Sequence, residues 1–482
     1  MDSIQGTVGS VGASVGAQSG EMGNKPAMVK VQDDWIEGML YKSGIEPNAK
    51  TSFTENVSWP SDKASYSETS LESSIVMSTA KRDKMIQAID NRNACIYGKY
   101  AGACATASKT GYIETSFYSL IETLRLRSNT NVIEEIRYYN TLMNLLTAFI
   151  VPLQSRVLLS ATQGFAYTSA FATAYNDDLG EKEIISAGTT AHYFYIPIYL
   201  GFFNNSKLIP ISHIADLQLD IVWANPTSYV LDYTASASAF AFTFTITELA
   251  LRCPIIKYND ASDVNAFNQM FYGGGGIKIN AQSYMHNRGA IVSGTAEVNL
   301  PLSFRRESLR SCIAVMHAIS LTSTRKQQRF IVNGTTSYQY WFGNDAFPRF
   351  EVPIATTNRG ALMNEILAYF DDRSTLALQP RFTEVIIVPA TETAYYEALT
   401  CFPVELSSVN DDGSLVKSGI NTIDVTSQHL TLKATSNFTA NSTVDIFGCY
   451  DIEFQIGTDN LVRSTFNGEL SSAPVQANRA QM

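Results

Sequence analysis

Residues 193–225 read YFYIPIYLGFFNNSKLIPISHIADLQLDIVWAN, two alternating runs separated by a polar break. Phe194, Ile196 and Ile198 alternate with Tyr195, Pro197 and Tyr199; Leu217, Leu219 and Ile221 alternate with Gln218, Asp220 and Val222. A period of two marks strands with one buried face. No catalytic dyad, metal-ligand set or phosphate loop lies in the stretch, so its pattern serves packing and surface.

The same signature recurs on both sides of it. YIETSFYSLIE, FAFTFTITELALRC, IKINAQSYM, GTAEVNLPLSF, TEVIIVPA, QHLTLKAT and VDIFGCYDIEFQI are rich in Tyr, Phe, Ile, Val and Thr. Gly, Asn, Asp and Ser bound them, as expected of strands. In the second of these, Phe240, Phe242, Phe244 and Ile246 fall on one side. Helical spacing occurs in two main places. NVIEEIRYYNTLMNLLTAFIV sets Ile133, Ile136, Leu142, Leu145, Leu146 and Phe149 on one face, and NRGALMNEILAYFDD does the same with Leu362, Ile366, Leu367 and Phe370. Between them lies FYGGGGIK, and its four glycines, Gly273, Gly274, Gly275 and Gly276, suit a link or sharp turn. The chain therefore reads as two β-sandwich units, each carrying an inserted helix, with no residue-level repeat between them.

Residues 1–25 are Gly, Ser, Ala and Val with little to bury, and read as a flexible arm. DDWIEGMLYKSG follows. It places Trp35, Ile36, Met39 and Leu40 on one face of a short helix with Asp33 and Asp34 near its start. That helix either packs on its own domain or docks as a peg into a neighbour or inner layer.

At 482 residues the chain exceeds one ordinary core. Hydrophobic residues make up 45%, but charged ones only 17%, against about 25% in a typical soluble domain. A surface short of charge favours burial against other subunits. The net charge of −10 argues against general nucleic-acid binding, which needs a basic face. The dense basic spots are Arg305-Arg306 and RKQQR, residues 325–329, which read as solvated turns. No apolar run reaches the length of a membrane-spanning helix. The N-terminus lacks the basic and apolar regions of a signal peptide, and Asp2 excludes N-myristoylation. Sequons at Asn56, Asn204, Asn333, Asn437 and Asn441 then read as chance matches.

Catalytic patterns are thin. Gly12-Ala13-Ser14-Val15-Gly16 matches G-x-S-x-G, but in a low-complexity arm without the strand that makes a nucleophile elbow. Cys95, Cys104, Cys253, Cys312, Cys401 and Cys449 stand singly, with no CxxC spacing and no density for a disulfide scaffold, so a reducing compartment is expected. His192, His213, His286, His317 and His429 are scattered and read as ordinary hydrogen-bonded residues. The acid pairs Asp177-Asp178, Asp371-Asp372 and Asp411-Asp412 read as solvated turns rather than calcium sites. No cofactor, metal or catalytic residue is expected.

The segment YIPIYLGFFNNSKLIPISHIADLQLDIVWAN resembles the strand–loop–strand segment of double jelly-roll major capsid proteins of double-stranded DNA viruses, of the polinton-like virus and virophage type. The matching residues are Pro197, Leu200, Gly201 and Phe202, then Leu208, Ile209 and Pro210, then Leu217, Gln218 and Ile221. AQSYMHNRGAIVSGTAEVNLPLSFRRESLRSCIAVM resembles the opening strands of the second roll, and YQYWFGNDAFPRFEVPI with the helix ALMNEILAYF is similar to a later strand, loop and helix.

The resemblance implies an all-β chain of two tandem eight-stranded jelly rolls with inserted short helices. The expected divisions are an arm and anchor helix over 1–70, a first roll over 71–272, a second over 273–460 and a tail over 461–482. It implies a structural subunit of the virion, associating as a homotrimer with a pseudo-hexagonal outline that tiles an icosahedral shell. Implied partners are neighbouring trimers, penton and minor capsid proteins, and an internal membrane where a shell encloses one. No direct nucleic-acid binding and no enzymatic activity are expected. The alternatives are a minor or vertex capsid protein, a glycan-binding β-sandwich that would use aromatics such as Trp223 and Trp341, and a tandem jelly-roll hydrolase.

Overall fold

The structure, a computed structural model, describes residues 52–77, 86–90, 94–104, 111–114, 116–151, 159, 161–164, 181–185, 191–205, 208–226, 230–232, 242–258, 261–318, 333–354, 359–370, 401–407, 419–466 and 469–470. Its first half runs β1 (Ser52–Pro60), β2 (Ser65–Ser67), β3 (Glu72–Met77), β4 (Ile86–Ile89), β5 (Cys95–Cys104), β6 (Gly111–Glu114), β7 (Ile121–Ser128), β8 (Asn131–Arg137), helix α1 (Tyr139–Ile150), β9 (Glu181–Ile185), β10 (Ala191–Pro197), β11 (Leu217–Trp223), β12 (Val230–Asp232) and β13 (Phe242–Tyr258). Helix α2 (Ala261–Gly273) follows. The second half runs β14 (Ile277–Ile291), β15 (Glu297–Pro301), β16 (Leu309–Ala318), β17 (Thr335–Phe342), β18 (Asp345–Pro353), helix α3 (Arg359–Tyr369), β19 (Phe402–Glu405), β20 (Gln428–Ala434), β21 (Ser442–Ile456), β22 (Val462–Phe466) and β23 (Glu469–Leu470).

Two facing sheets make each half. In the first they run β1-β13-β5-β10 and β3-β11-β7-β8. In the second they run β14-β21-β16-β19 and β15-β20-β17-β18. Numbering the eight principal strands of either half in chain order gives the same pair of sheets, first–eighth–third–sixth and second–seventh–fourth–fifth. All these pairings are antiparallel. That order is the jelly roll, present twice. The inserted helices repeat as well, since α1 and α3 each lie in the connection from fifth to sixth strand. Three further connections of the first roll supply β6, β9 and β12, which pair as a small separate sheet.

Alternation explains the layers. In β11, Leu217, Leu219, Ile221 and Trp223 are buried while the residues between are half-covered. Phe194 and Ile196 of β10 face the same core. In β13, Phe244 and Ile246 point inward, but Glu248 takes φ +55 and the register shifts, after which Leu249, Leu251, Cys253 and Ile255 are the buried set. One extra residue thus reverses which parity is inside.

Several elements differ from the sequence reading. The first roll begins at Ser52 rather than residue 71, because β1 pairs with β13 along its whole length. The second extends past residue 460, because β22 pairs with the end of β21. Residues 131–137, read as helical, form strand β8. The β-branched Val132, Ile133 and Ile136 fit a pleated edge, β7 supplies the ladder, and Tyr138 at φ +52 breaks the chain before α1 starts. Within YIETSFYSLIE, residues 117–120 form a 3-10 turn capped by Ser116. TEVIIVPA, Phe240, the basic run 325–329, and the arm and anchor with Trp35, Ile36, Met39 and Leu40 lie outside the described residues.

Candidate functional site

The two rolls meet along a seam built by the fifth strand of one and the first strand of the other. Glu134 on β8 is buried, and its carboxylate accepts hydrogen bonds from the Gly201 N–H at 2.7 Å, the Phe202 N–H at 3.1 Å and the hydroxyl of Ser283 on β14. Burial pushes its pKa above the ordinary carboxylate value, and the three donors pull against that. Gly201 can approach β14 only because it lacks a side chain. A Cβ there would sit 2.4 Å from the Gln282 carbonyl oxygen. Around this point Phe202 packs edge-on against Phe454 at 5.2 Å, and Tyr199 lies 6.4 Å from Tyr284. At the far end the Val462 N–H donates to Ser128 Oγ, and the Ala215 N–H to the Asn460 carbonyl.

A charged cluster closes the other side. Asp445 on β21 accepts Arg288 Nε at 2.7 Å and Nη2 at 3.0 Å, and lies 2.7 Å from His286 Nε2 and 3.3 Å from His317 Nε2. Burial alone would raise the Asp445 pKa, but hydrogen bonds from His286, His317 and Arg288 hold it well below the carboxylate range. Burial lowers the pKa of His286, against the pull of Asp445. Arg288 then crosses the seam: its guanidinium lies 3.7 Å from the ring centroid of Tyr138, and Nη1 donates to the Tyr138 hydroxyl at 2.8 Å. The left-handed residue that ends β8 therefore reaches the outward face of the second roll's sheet.

The corresponding outward face of the first roll carries a different group. Tyr97 and Lys99 on β5, Tyr193 and Tyr195 on β10, and Glu248 and Arg252 on β13 lie together. Tyr97 stacks on Tyr193 at 5.9 Å and tilts against Tyr195 at 5.0 Å. Arg252 sits 3.4 Å from the Tyr97 ring centroid, and Lys99 lies 3.8 Å from Glu248. Tyr193 and Tyr195 keep 45% and 36% of their surface exposed.

The glycine run closes α2. The Gly276 N–H donates to the Phe271 carbonyl and the Gly274 N–H to that of Met270, with Gly275 at φ +79, which is a Schellman cap. Gly276 has φ +99, and a Cβ there would lie 2.0 Å from the Ile456 carbonyl oxygen. Helix α2 itself packs on the first roll, where buried His213 lies between Phe267 and Phe271 and 2.7 Å from Asn268 Oδ1.

Other residues singled out in the sequence take structural positions. Trp223 is in the core, and Trp341 stacks on His429 at 6.1 Å. Arg306 lies over Tyr450 at 4.5 Å. Cys95, Cys253, Cys312, Cys401 and Cys449 are free thiols. Among the described residues no three His, Cys, Asp or Glu side chains are grouped as metal ligands, and no helix is long and apolar enough to cross a membrane. Sequence reasoning missed Glu134, Ser283 and the Asp445 cluster.

No family model matches the sequence, and no curated protein matches it. Solved structures do. A chain from a cryo-EM structure of the Sputnik virophage is similar over 96% of this chain and 96% of its own, with a TM-score of 0.54 at 9% identity. The Faustovirus major capsid protein matches over 86% and 92%, with a TM-score of 0.52 at 8% identity. A chain of the PBCV-1 virus capsid matches over 90% and 100%, with a TM-score of 0.51 at 10% identity. Two rolls of one strand order in one chain, similar along nearly their whole length to these proteins, give this chain the fold of the double jelly-roll capsid proteins.

Proposed function

We propose that the chain is a major capsid protein, a structural subunit whose copies associate as homotrimers of pseudo-hexagonal outline that tile an icosahedral shell. The carrying observation is the pair of rolls with identical strand order locked by a buried seam. One chain then presents two near-equivalent blocks, and three chains supply six. The titratable groups support this reading, because each is spent on a structural partner: Glu134 accepts from the Gly201 and Phe202 N–H groups and from Ser283, and Asp445 binds His286 and Arg288 across strands. The protein acts through surfaces and has no enzymatic activity.

In this reading the partners are neighbouring trimers, penton and minor capsid proteins, and an internal membrane where the shell encloses one. The place of action is the virion. The glycines at 273–276 link the rolls, and Trp35, Ile36, Met39 and Leu40 anchor the N-terminal arm to a neighbour or inner layer. Direct DNA binding is not expected at a net charge of −10. Sedimentation and negative-stain imaging of the purified protein test the proposal. Trimers with a hexagonal outline, burying on the order of 2,000 Å² or more per pair, support it, and a stable monomer at micromolar concentration refutes it.

A further inference from the structure

Three basic side chains crowd the Asp445 carboxylate. Its Oδ1 accepts from Arg288 Nε and lies against His286 Nε2, each at 2.7 Å. Its Oδ2 accepts from Arg288 Nη2 at 3.0 Å and lies 3.3 Å from His317 Nε2. An ionised carboxylate only accepts, so neutral His286 carries its proton on Nε2, and a further proton adds at Nδ1. The charged and titratable groups around His286 come from both rolls. Arg288 shares β14 with it, Asp445 lies on β21 and His317 on β16. From the first roll come Arg137 at the end of β8 and Tyr138 after it, with Glu122 of β7 facing Arg288. Arg137 is itself paired with Glu135.

These partners differ in how freely they move. The side chains of His286 and Asp445 are 6% and 2% exposed, while that of Arg288 keeps 41%. His286 also packs against the rings of Tyr138 at 4.4 Å and Phe447 at 5.0 Å. A second positive charge beside Arg288 and Arg137 therefore has one ready relief. The guanidinium with water at hand withdraws, and Asp445 is left to the imidazolium. Withdrawal also gives up Tyr138, whose ring Arg288 covers at 3.7 Å and whose hydroxyl it holds at 2.8 Å. The Arg288–Tyr138 pair joins the two rolls, whereas the His286–Asp445 pair lies wholly within the second.

We propose that this cluster is an acid-operated latch on the seam: a proton on His286 claims Asp445, Arg288 lets go of Asp445 and Tyr138 together, and the two rolls loosen on that side. The other side of the seam carries no histidine, and Glu134 keeps its bonds to Gly201, Phe202 and Ser283 there. The rolls therefore pivot about Glu134 instead of parting. Burial, with Arg288 and Arg137 nearby, holds the His286 pKa below 6.5, so the latch is shut at neutral pH and opens as pH falls beneath that value. Release of Arg288 removes one of the charges that oppose the proton, so the two events favour each other. The latch belongs to the single chain and stands or falls independently of the trimer reading. In a shell subunit it ties the angle between the two blocks to the acidity of the surroundings.

Hydroxyl-radical footprinting of the full chain, read by mass spectrometry at Tyr138 from pH 7.5 to pH 5, tests the latch. Exposed Tyr193 calibrates the radical dose, and buried Trp223 shows whether the first roll stays folded. In the wild type, Tyr138 labelling should rise severalfold with a midpoint below 6.5 while Trp223 stays protected. His286→Gln keeps a donor for Asp445 but gains no charge, so Tyr138 should stay covered across the range. Arg288→Gln should label Tyr138 strongly at every pH, because its cover is gone. His317→Gln should keep the wild-type rise. Flat labelling in the wild type overturns the latch, as does an acid rise that persists in His286→Gln or is lost in His317→Gln. A rise accompanied by Trp223 labelling is general unfolding and overturns it too. If His286→Gln exposes Trp223 already at pH 7.5, Arg288→Gln decides, since an acid rise remaining there overturns the latch.

Discussion

Replacing Glu134 with alanine removes the acceptor shared by the Gly201 N–H, the Phe202 N–H and the Ser283 hydroxyl. A buried donor left without a partner costs about 1–3 kcal/mol. The serine hydroxyl can rotate to another acceptor, and water entering the vacated space can satisfy part of the demand. The two backbone groups cannot turn away, so the expected loss is about 3–4 kcal/mol. Because one of the three donors belongs to the other roll, the loss falls on the coupling between rolls as well as on the first roll. Urea unfolding followed by tryptophan fluorescence and by far-ultraviolet circular dichroism reads both effects. Trp59 and Trp223 report the first roll and Trp341 the second. The wild type should unfold with the two signals together, and Glu134→Ala should lower the midpoint and separate them. Ser283→Ala, which removes only the cross-seam donor, should cost about 1 kcal/mol. A Glu134→Ala variant within about 1 kcal/mol of wild type, with coincident transitions, would refute the account of the seam.

Gly201→Val should destabilise by about 3 kcal/mol or more, read in the same unfolding assay, since its Cβ would overlap the Gln282 backbone oxygen. Gly276→Ala combines a left-handed φ with an overlap on the Ile456 carbonyl, and should cost about 2–4 kcal/mol in that assay. Acidification should weaken the seam. The His286 pKa lies below its ordinary 6.5, so the folded state holds fewer protons than the unfolded one once pH falls through 6.5, and stability drops. The lowered Asp445 pKa adds a further loss as pH falls below 3.8. Glu134, shifted upward, opposes both by favouring the folded state as pH falls toward 4.5. Urea midpoints from pH 7 to pH 5 should therefore decline in the wild type and decline less steeply in His286→Gln, where the lowered pKa of partly buried His429 leaves a smaller slope. Deleting residues 1–42 should leave the trimer intact and impair shell assembly, as seen by negative stain; normal shells from the truncated chain would remove the docking role of the arm.

Local patterning carried much of the fold. Leu217, Leu219 and Ile221 alternate because one face of β11 meets a core, and that requirement is written into neighbouring residues. The register change at Glu248 left no such mark, since a bulge is set by how β13 meets β5. Residues 131–137 misled because Ile133 and Ile136 satisfy a helical spacing, while the partners that make them a strand are supplied by β7 and by a loop over sixty residues away. Helix α2 had a usable signal in Val264, Phe267 and Phe271 followed by glycines, masked by the polar residues among them. The seam was beyond local reading altogether. Glu134 and Ser283 are 149 residues apart, and His286, His317 and Asp445 come together only when β14, β21 and β16 are aligned.

The pairing of β1 with β13 also sets an order of events during synthesis. Ser52 finds its partner only when Tyr258 has been made, so the first sheet stays open-edged until its last strand emerges. Once β13 arrives, every principal strand of that roll is present, whereas β14 must wait for β21, with Ile277 paired to Ile456. At about 5–20 residues per second, the interval between the two closures is on the order of ten to forty seconds. During that time the Glu134 carboxylate has only the donors of its own roll and the solvent at the unfinished seam. The nascent first roll therefore presents a temporarily uncovered edge to the crowded surroundings of the ribosome. A charged group at its centre keeps that edge hydrated and discourages premature pairing with another unfinished chain until the second roll takes its place.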